Sequence, residues 1–553
     1  MKKVFKQVIS VILCALIISC PLIPGVSAST YIRGDGNRAT QVPTVYVQGY
    51  GSALYADSHD KNSQHLVGGS KDILTDGSLE GILDGIMAPL IEGIQTDDWT
   101  NYSNFLVEKL VSILSFMALD KNGEASNGSG NQCERDIYVT NRNNYNGKYD
   151  LYAYTHLYDW RIDPFISAAE LNDYIKKVKT ATGFDKVNIV GRCLGANIIM
   201  AYLSEYGYDD INAINLYVGG LDGFEFLGAL FSGQVIIESD DLNNFLQYMI
   251  DDNGDPVISF VKSLVAILNF TKGLNIPIEL VYKIYEEVYF EVIPRTLKET
   301  FGTMPAFWSM VGKDYYEAAM ELNFHSDEDK AEYAKLIEKT DKYYNNVTLK
   351  TENILNGAID AGVKVYITAK YGSVNIPLSD KAKYHSDGII SVDTQTLGAT
   401  SAIMGSTFSS SYIKKAEENG TAGYISPDKT IDASTCFLPN HTWFIKGSAH
   451  GVMPYNIDVL QAQIFNASGY GDASAYVTVG TLPEFPQYLC MVSDDEYAPL
   501  VPLTEENSNI GDEWNVSIFD HFSNFFEKLF SFITELVYQL KNMIQSAVTE
   551  VKK

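Results

Sequence analysis

A strand, a two-glycine turn and a helix follow one another with no spare residue between positions 186 and 206. Lys186-Val187-Asn188-Ile189-Val190 reads as a buried strand, Gly191-Arg192-Cys193-Leu194-Gly195 as the turn, and Ala196 to Tyr206 as an amphipathic helix. A turn this short folds the helix straight back over the strand. Strands joined through such a helix must pair in parallel.

The same alternation recurs along the chain. Val42-Pro43-Thr44-Val45-Tyr46-Val47 is a β-branched run ending in Gln48-Gly49-Tyr50-Gly51-Ser52. Helices are expected near 78–95, 98–118 and 167–181, a strand over Lys148 to Leu157, and another at Leu216 to Val218. Strands at Val363 to Ala369 and Thr442 to Ile445 and a helix near 456–465 complete the pattern. The expected fold is therefore α/β, a mostly parallel sheet with helices on both faces. Residues 222–350 read as helices with few strand signals, so they are expected as a helical cap dividing the sheet domain into parts 29–221 and 351–465. Residues 120–132 read as a flexible loop by composition, and 466–515, rich in Gly, Pro and acids, as an irregular linker.

Composition bounds the function. The 553 residues are 46% apolar and 20% charged, as in an ordinary folded protein. The net charge of −28 argues against nucleic acid as a partner, because phosphate recognition needs a basic surface. Residues 1–28 read as an export signal: Lys2, Lys3 and Lys6, the apolar run Val8 to Ile18, then Val26-Ser27-Ala28 as a cleavage site. A lipoprotein signal ending at Cys20 is the alternative, disfavoured by the apolar Pro21-Leu22-Ile23 that follows it. Cleavage after Ala28 leaves Cys133, Cys193, Cys436 and Cys490, too few for a disulfide scaffold, with their pairing open. No metal or cofactor motif stands out. Asp251-Asp252-Asn253-Gly254-Asp255 reads as an acidic turn in preference to a calcium site.

Chemistry concentrates at Cys193. A sharp strand-to-helix turn lifts a side chain off the sheet, and small neighbours avoid collision. The helix that follows aims its free N–H groups at the thiol and favours the reactive thiolate. The Leu194 N–H is placed to hold an oxyanion, and a second donor belongs to the loop after the first strand, with Tyr50 N–H first and Gly51 next. An acid and then a base must follow the nucleophile in chain order. Asp387, opening the Asp387-Gly388 turn, is the expected acid and Asp393 the alternative. Of the histidines beyond Asp387, His450 lies just past the Trp443-Phe444-Ile445 strand. His441 lies before that strand, at the opposite edge of the sheet, and His521 lies in the tail. His450 is the expected base.

Together these segments resemble the α/β-hydrolases, closest to the lecithin:cholesterol acyltransferase and bacterial lipase branch, over roughly residues 42–465. Val45 to Ser52 is similar to that branch's first strand and oxyanion loop, Tyr158-Asp159-Trp160-Arg161 with Pro164 to its Y-D-W-R-x-x-P segment, and Val187 to Gly195 to its nucleophile elbow. Met304-Pro305-Ala306-Phe307-Trp308 is similar to its P-S-x-x-W stretch, and Ser386-Asp387-Gly388 to its acid-bearing turn. Cys193 stands where the branch has Ser, and Arg192 where it often has His. A Cys elbow resembles dienelactone hydrolases and polyester synthases. The resemblance implies an exported hydrolase or acyltransferase that works on an ester or thioester of a lipid-like substrate through a Cys193–His450–Asp387 triad, without a cofactor. The rival from another class is a non-catalytic lipid- or protein-binding surface protein on the same scaffold.

Residues 516–553 read as an amphipathic tail helix. Ile518, Phe522, Phe525, Leu529, Ile533, Leu536 and Leu540 recur at helical spacing, and Glu527, Lys528, Glu535 and Lys541 interrupt them. Such a helix cannot span a bilayer but can lie in its interface or pack on protein.

Overall fold

The computed structural model describes residues 42–51, 54–60, 63, 65–67, most of 85–131, 154–236, 287, 291–454, 456–470, 474–493 and 499–509. The expected signal segment, the tail helix and the acidic turn at 251–255 lie outside these residues.

Among the described residues eight strands form the central sheet: β1 (Thr44–Val47), β2 (Tyr154–His156), β3 (Val187–Arg192), β4 (Ile211–Tyr217), β5 (Lys364–Tyr371), β6 (Thr442–Lys446), β7 (Tyr488–Met491) and β8 (Leu500–Pro502). Their spatial order is β8-β7-β6-β5-β4-β3-β1-β2, and every pairing is parallel except β7 with β8. The central strands β4 and β5 are buried along their whole length. Both faces of these strands are covered, so neither shows the in–out alternation of a half-exposed strand. Among the described residues no helix is long and apolar enough to cross a membrane.

The chain leaves β1 toward one side for β2 and returns to the other side for β3. The strand order therefore reverses between β1 and β3. In open parallel sheets the crevice at such a reversal, at the carboxyl ends of the strands, is where ligands bind. The turns after β1 and β3 both open there.

Two helices frame this crevice. Helix α1 (Pro164–Thr182) starts with proline at its first position, and the Asp163 carboxylate caps it by accepting from Phe165 N–H at 2.9 Å. Helix α2 (Leu194–Tyr206) is buried from Leu194 to Leu203, so it carries no polar face over that stretch. Its far side supports a helical segment inserted between β4 and β5. Asn197 Nδ2 donates to Ser309 O at 2.9 Å, and Tyr343 Oη donates to Asn197 O at 3.2 Å. Within the insertion, α3 (Glu225–Ser232) packs on α4 (Lys313–Asn323). Trp308 anchors both: its ring meets Phe231 at 5.0 Å and Phe324 at 5.5 Å, and its Nε1 donates to Gly302 O at 2.8 Å.

Two segments differ from the sequence expectation. The stretch 466–515 is not wholly irregular, because it supplies β7 and β8 to the sheet edge. The loop at 120–131 is held in place by the Tyr158-Asp159-Trp160-Arg161 segment. Arg161, fully buried, pairs with Asp159 through Nε–Oδ1 at 2.9 Å and Nη2–Oδ2 at 2.7 Å. Its remaining donors reach Ser129 O, Ser129 Oγ and Met117 O, each at 3.2 Å. Removing one partner of such a buried pair costs about 3–5 kcal/mol, because the other charge is left uncompensated.

Candidate active site

Cys193 follows the last residue of β3 with φ 53° and ψ −126°, a left-handed-side backbone that a non-glycine residue adopts only under constraint. Its N–H donates to Tyr217 O at 3.1 Å, which ties the strained residue to β4. The sharpness of the turn is paid for by its glycines. A Cβ at Gly195 would stand 2.3 Å from Val47 O and 2.9 Å from Gln48 O, both backbone atoms that cannot swing away. A Cβ at Gly49 would stand 2.8 Å from the Cys193 Cβ. The loop after β1 therefore runs directly against the nucleophile candidate at Gly49, the residue before Tyr50. We expect Gly195→Ala to destabilise the fold by about 1–3 kcal/mol, the range for overpacking, measurable by chemical denaturation.

The structure brings Cys193, His450 and Asp387 together. His450 Nδ1 and Asp387 Oδ2 are 2.7 Å apart, and the His450 N–H donates to the Asp387 carbonyl at 2.7 Å. That leaves Nε2 on the side of Cys193, whose ionisation is coupled to that of the imidazole. Asp387 is itself fixed. Its Oδ1 accepts from Ile389 N–H at 3.0 Å and Ile390 N–H at 2.8 Å. All three side chains are buried.

The electrostatics follow from this packing. Burial opposes the His450 cation, but the Asp387 carboxylate and Cys193 outweigh it and lift the imidazole to about 9. Burial likewise opposes the Cys193 thiolate. The His450 imidazolium, Arg192 and the Leu194 N–H outweigh that and hold the thiol below its ordinary range. The two other described cysteines show the contrast. Burial pushes Cys436 and Cys490 up to about 11 each, and all three are free thiols. Both shifts run in the direction of a thiolate–imidazolium pair.

The alternatives are accounted for elsewhere. His441, before β6, lies at the other end of the sheet. Its Nδ1 is 2.7 Å from Val477 O and its ring stacks on Tyr476 at 3.6 Å. Asp393 is held by Lys381 at 2.8 Å and by Ser391, beside Glu225, whose carboxyl is raised by its burial and then by Asp393. Neither joins the His450 site. Beside the Gly49-Tyr50-Gly51 loop lies a buried aromatic cluster: Tyr50 meets Trp160 at 4.2 Å and Phe307 at 5.8 Å, and Phe307 meets Phe301 at 5.2 Å. Among the described residues there is no cluster of His, Cys, Asp and Glu able to hold a metal ion.

Sequence reasoning misses Lys370. Its signal is faint, a lysine at the penultimate position of a strand that is otherwise uncharged from Val365 onward. In the structure it is fully buried beneath the His450 loop.

Comparison with protein-family models, with curated proteins and with solved structures finds no match to this chain.

Proposed function

We propose that this chain is an exported enzyme of the α/β-hydrolase type that moves an acyl group from an ester or thioester of a lipid-like substrate through a Cys193–His450–Asp387 triad. The observation that carries this reading is the buried His450–Asp387 pair coupled electrostatically to Cys193 in a mostly parallel sheet, with nucleophile, acid and base in chain order. The helical insertion between β4 and β5, read as a cap, suits a lipid-like substrate, and the loop carrying Tyr50 rests on the buried aromatic cluster of Trp160, Phe301 and Phe307.

The chemistry runs in two halves. The Cys193 thiolate attacks the carbonyl carbon, and the N–H groups of Leu194 and Tyr50 receive the oxyanion. The intermediate collapses to a thioester on Cys193 as His450 gives its Nε2 proton to the leaving group. Water, or an acceptor hydroxyl, then loses its proton to His450 and attacks the thioester. Product leaves, and the thiolate–imidazolium pair is restored.

The test is a panel of short- and long-chain esters and thioesters with wild type and Cys193→Ala. Turnover and acyl-enzyme formation are expected to vanish in the variant and to persist in Cys436→Ala. Turnover of the best substrate by Cys193→Ala at the wild-type rate would overturn the reading. The proposal extends to the amphipathic tail at 516–553 as a peripheral membrane contact. With few basic residues, that contact would rest on apolar burial. Deleting the tail is expected to lower liposome binding and to leave hydrolysis of soluble esters nearly intact. Unchanged liposome binding would remove the membrane role.

A further inference from the structure

Four consecutive backbone carbonyls around His450 all accept from two basic side chains. Arg192 Nη2 donates to His450 O at 3.1 Å and to Gly451 O at 3.2 Å. Lys370 Nζ donates to Ala449 O at 2.9 Å and also to Val452 O. Arg192 is the residue before the nucleophile, and Lys370 is near the end of β5. The sheet register explains how residues so far apart in sequence converge. Arg192 pairs with Tyr217 across β3 and β4, Tyr217 pairs with Thr368 across β4 and β5, and Lys370 is two residues beyond Thr368 on the same face. Tyr217 lies between the two, with Lys370 Nζ 5.2 Å from its ring centroid. The row Arg192–Tyr217–Lys370 thus forms a floor under the loop 449–452.

We propose that Arg192 and Lys370 are positioning residues that hold the His450 loop so that its imidazole stays aligned between Asp387 and Cys193. This rests on the reading of Cys193 and His450 as a nucleophile–base pair. The loop holding His450 belongs to no helix or strand, so these bonds and the His450 N–H to Asp387 O bond set its course. Burial holds the Lys370 ammonium well below its ordinary range, with Arg192 adding to the effect and Asp387 opposing it. The role survives loss of that charge, since a neutral amine still has two N–H donors for two carbonyls. Several titratable groups face the pair. Asp387 and Cys193 meet His450. Arg192 acts on Cys193 and bonds Tyr46, while Tyr158 and Tyr217 border the same space with their phenols raised chiefly by burial.

The test follows alkylation of Cys193 by iodoacetamide against pH, read on the Cys193 peptide by mass spectrometry in the full-length protein. The thiolate displaces iodide, so the rate reports the thiolate fraction without any substrate. Wild type should react well below the ordinary thiol range, and His450→Ala should remove that reactivity. Arg192→Met and Lys370→Met should each slow alkylation at pH 6 by about tenfold or more, as expected for a shift of one unit or more in the apparent thiol pKa. Arg192→Lys, which keeps a cationic donor, should recover part of the rate. A direct effect of the Arg192 charge on the thiolate is separated by a double-variant cycle. If Arg192 acts mainly through His450, Arg192→Met should cost much less in a His450→Ala background than in wild type, the remainder being its direct charge effect on the thiolate. A full additional loss there would overturn the positioning role, as would wild-type profiles in folded single variants. If Lys370→Met does not fold, the half-buried Arg192 pair of variants and the cycle decide. Wild type reacting as an ordinary thiol, unaffected by His450→Ala, would instead refute the nucleophile–base reading itself.

Discussion

Asp387→Asn is expected to lower acyl transfer by about 10⁴-fold while leaving the fold nearly unchanged. The reason lies in how the carboxylate is held. Its Oδ1 accepts two backbone N–H groups, from Ile389 and Ile390, and only its Oδ2 faces His450 Nδ1. An asparagine in this socket must keep its oxygen toward the two N–H donors. Its NH₂ group then points at His450 Nδ1 and donates to it. The imidazole is forced to carry its proton on Nε2, the side that faces Cys193, and can no longer take a proton from the thiol. The loss should therefore appear in acylation of the enzyme, measured by single-turnover release of a chromogenic leaving group, with the thermal midpoint shifted little. Asp393→Asn should be far milder, because that carboxylate is occupied by Lys381 and Ser391. The reverse ranking would remove Asp387 from the triad.

The local part of this site was legible because local chemistry dictates it. A strand ending in Gly191-x-Cys193-x-Gly195 and running into a helix permits little besides a raised, strained Cys193, and the structure gives that residue φ 53°. His450 could be separated from His441 by asking which end of β6 each occupies. The parts that were not legible depend on long-range register. Nothing near Lys370 in sequence says that it lies under residues 449–452, because that follows from the pairing of β3, β4 and β5. Arg192 stood out only as a departure from the histidine of similar elbows, and its partners are 258 and 259 residues away. Strands β7 and β8 were hidden for another reason. They are four and three residues long, too short for a period to show among glycines and prolines. The loop at 120–131 has the composition of a mobile segment, but buried donors from Arg161 override that composition.

Cys193→Ser is expected to lower acylation by at least about 10²-fold and to change the shape of its pH dependence. In wild type the thiol is held low and His450 is lifted to about 9, so the two titrate as a coupled pair. Between those limits the nucleophile is already ionised and the imidazolium already holds the proton that the leaving group needs. The acylation rate should rise with pH at an acid limb below the ordinary thiol range. It should hold level and then fall near 9 as His450 loses its proton. A serine hydroxyl does not ionise in this window. His450 must then be neutral so that it can remove the proton during attack, and the rate should instead rise with pH as the imidazolium is lost. Asp387 still favours the imidazolium in that variant, while the thiolate contribution is gone, so the rising limb should lie between the ordinary histidine value and the wild-type alkaline limb. Single-turnover acylation between pH 5 and 10 distinguishes the two shapes. A serine variant that keeps the wild-type profile at any amplitude would mean that no thiolate–imidazolium pair operates, and that Cys193 needs His450 as an ordinary general base.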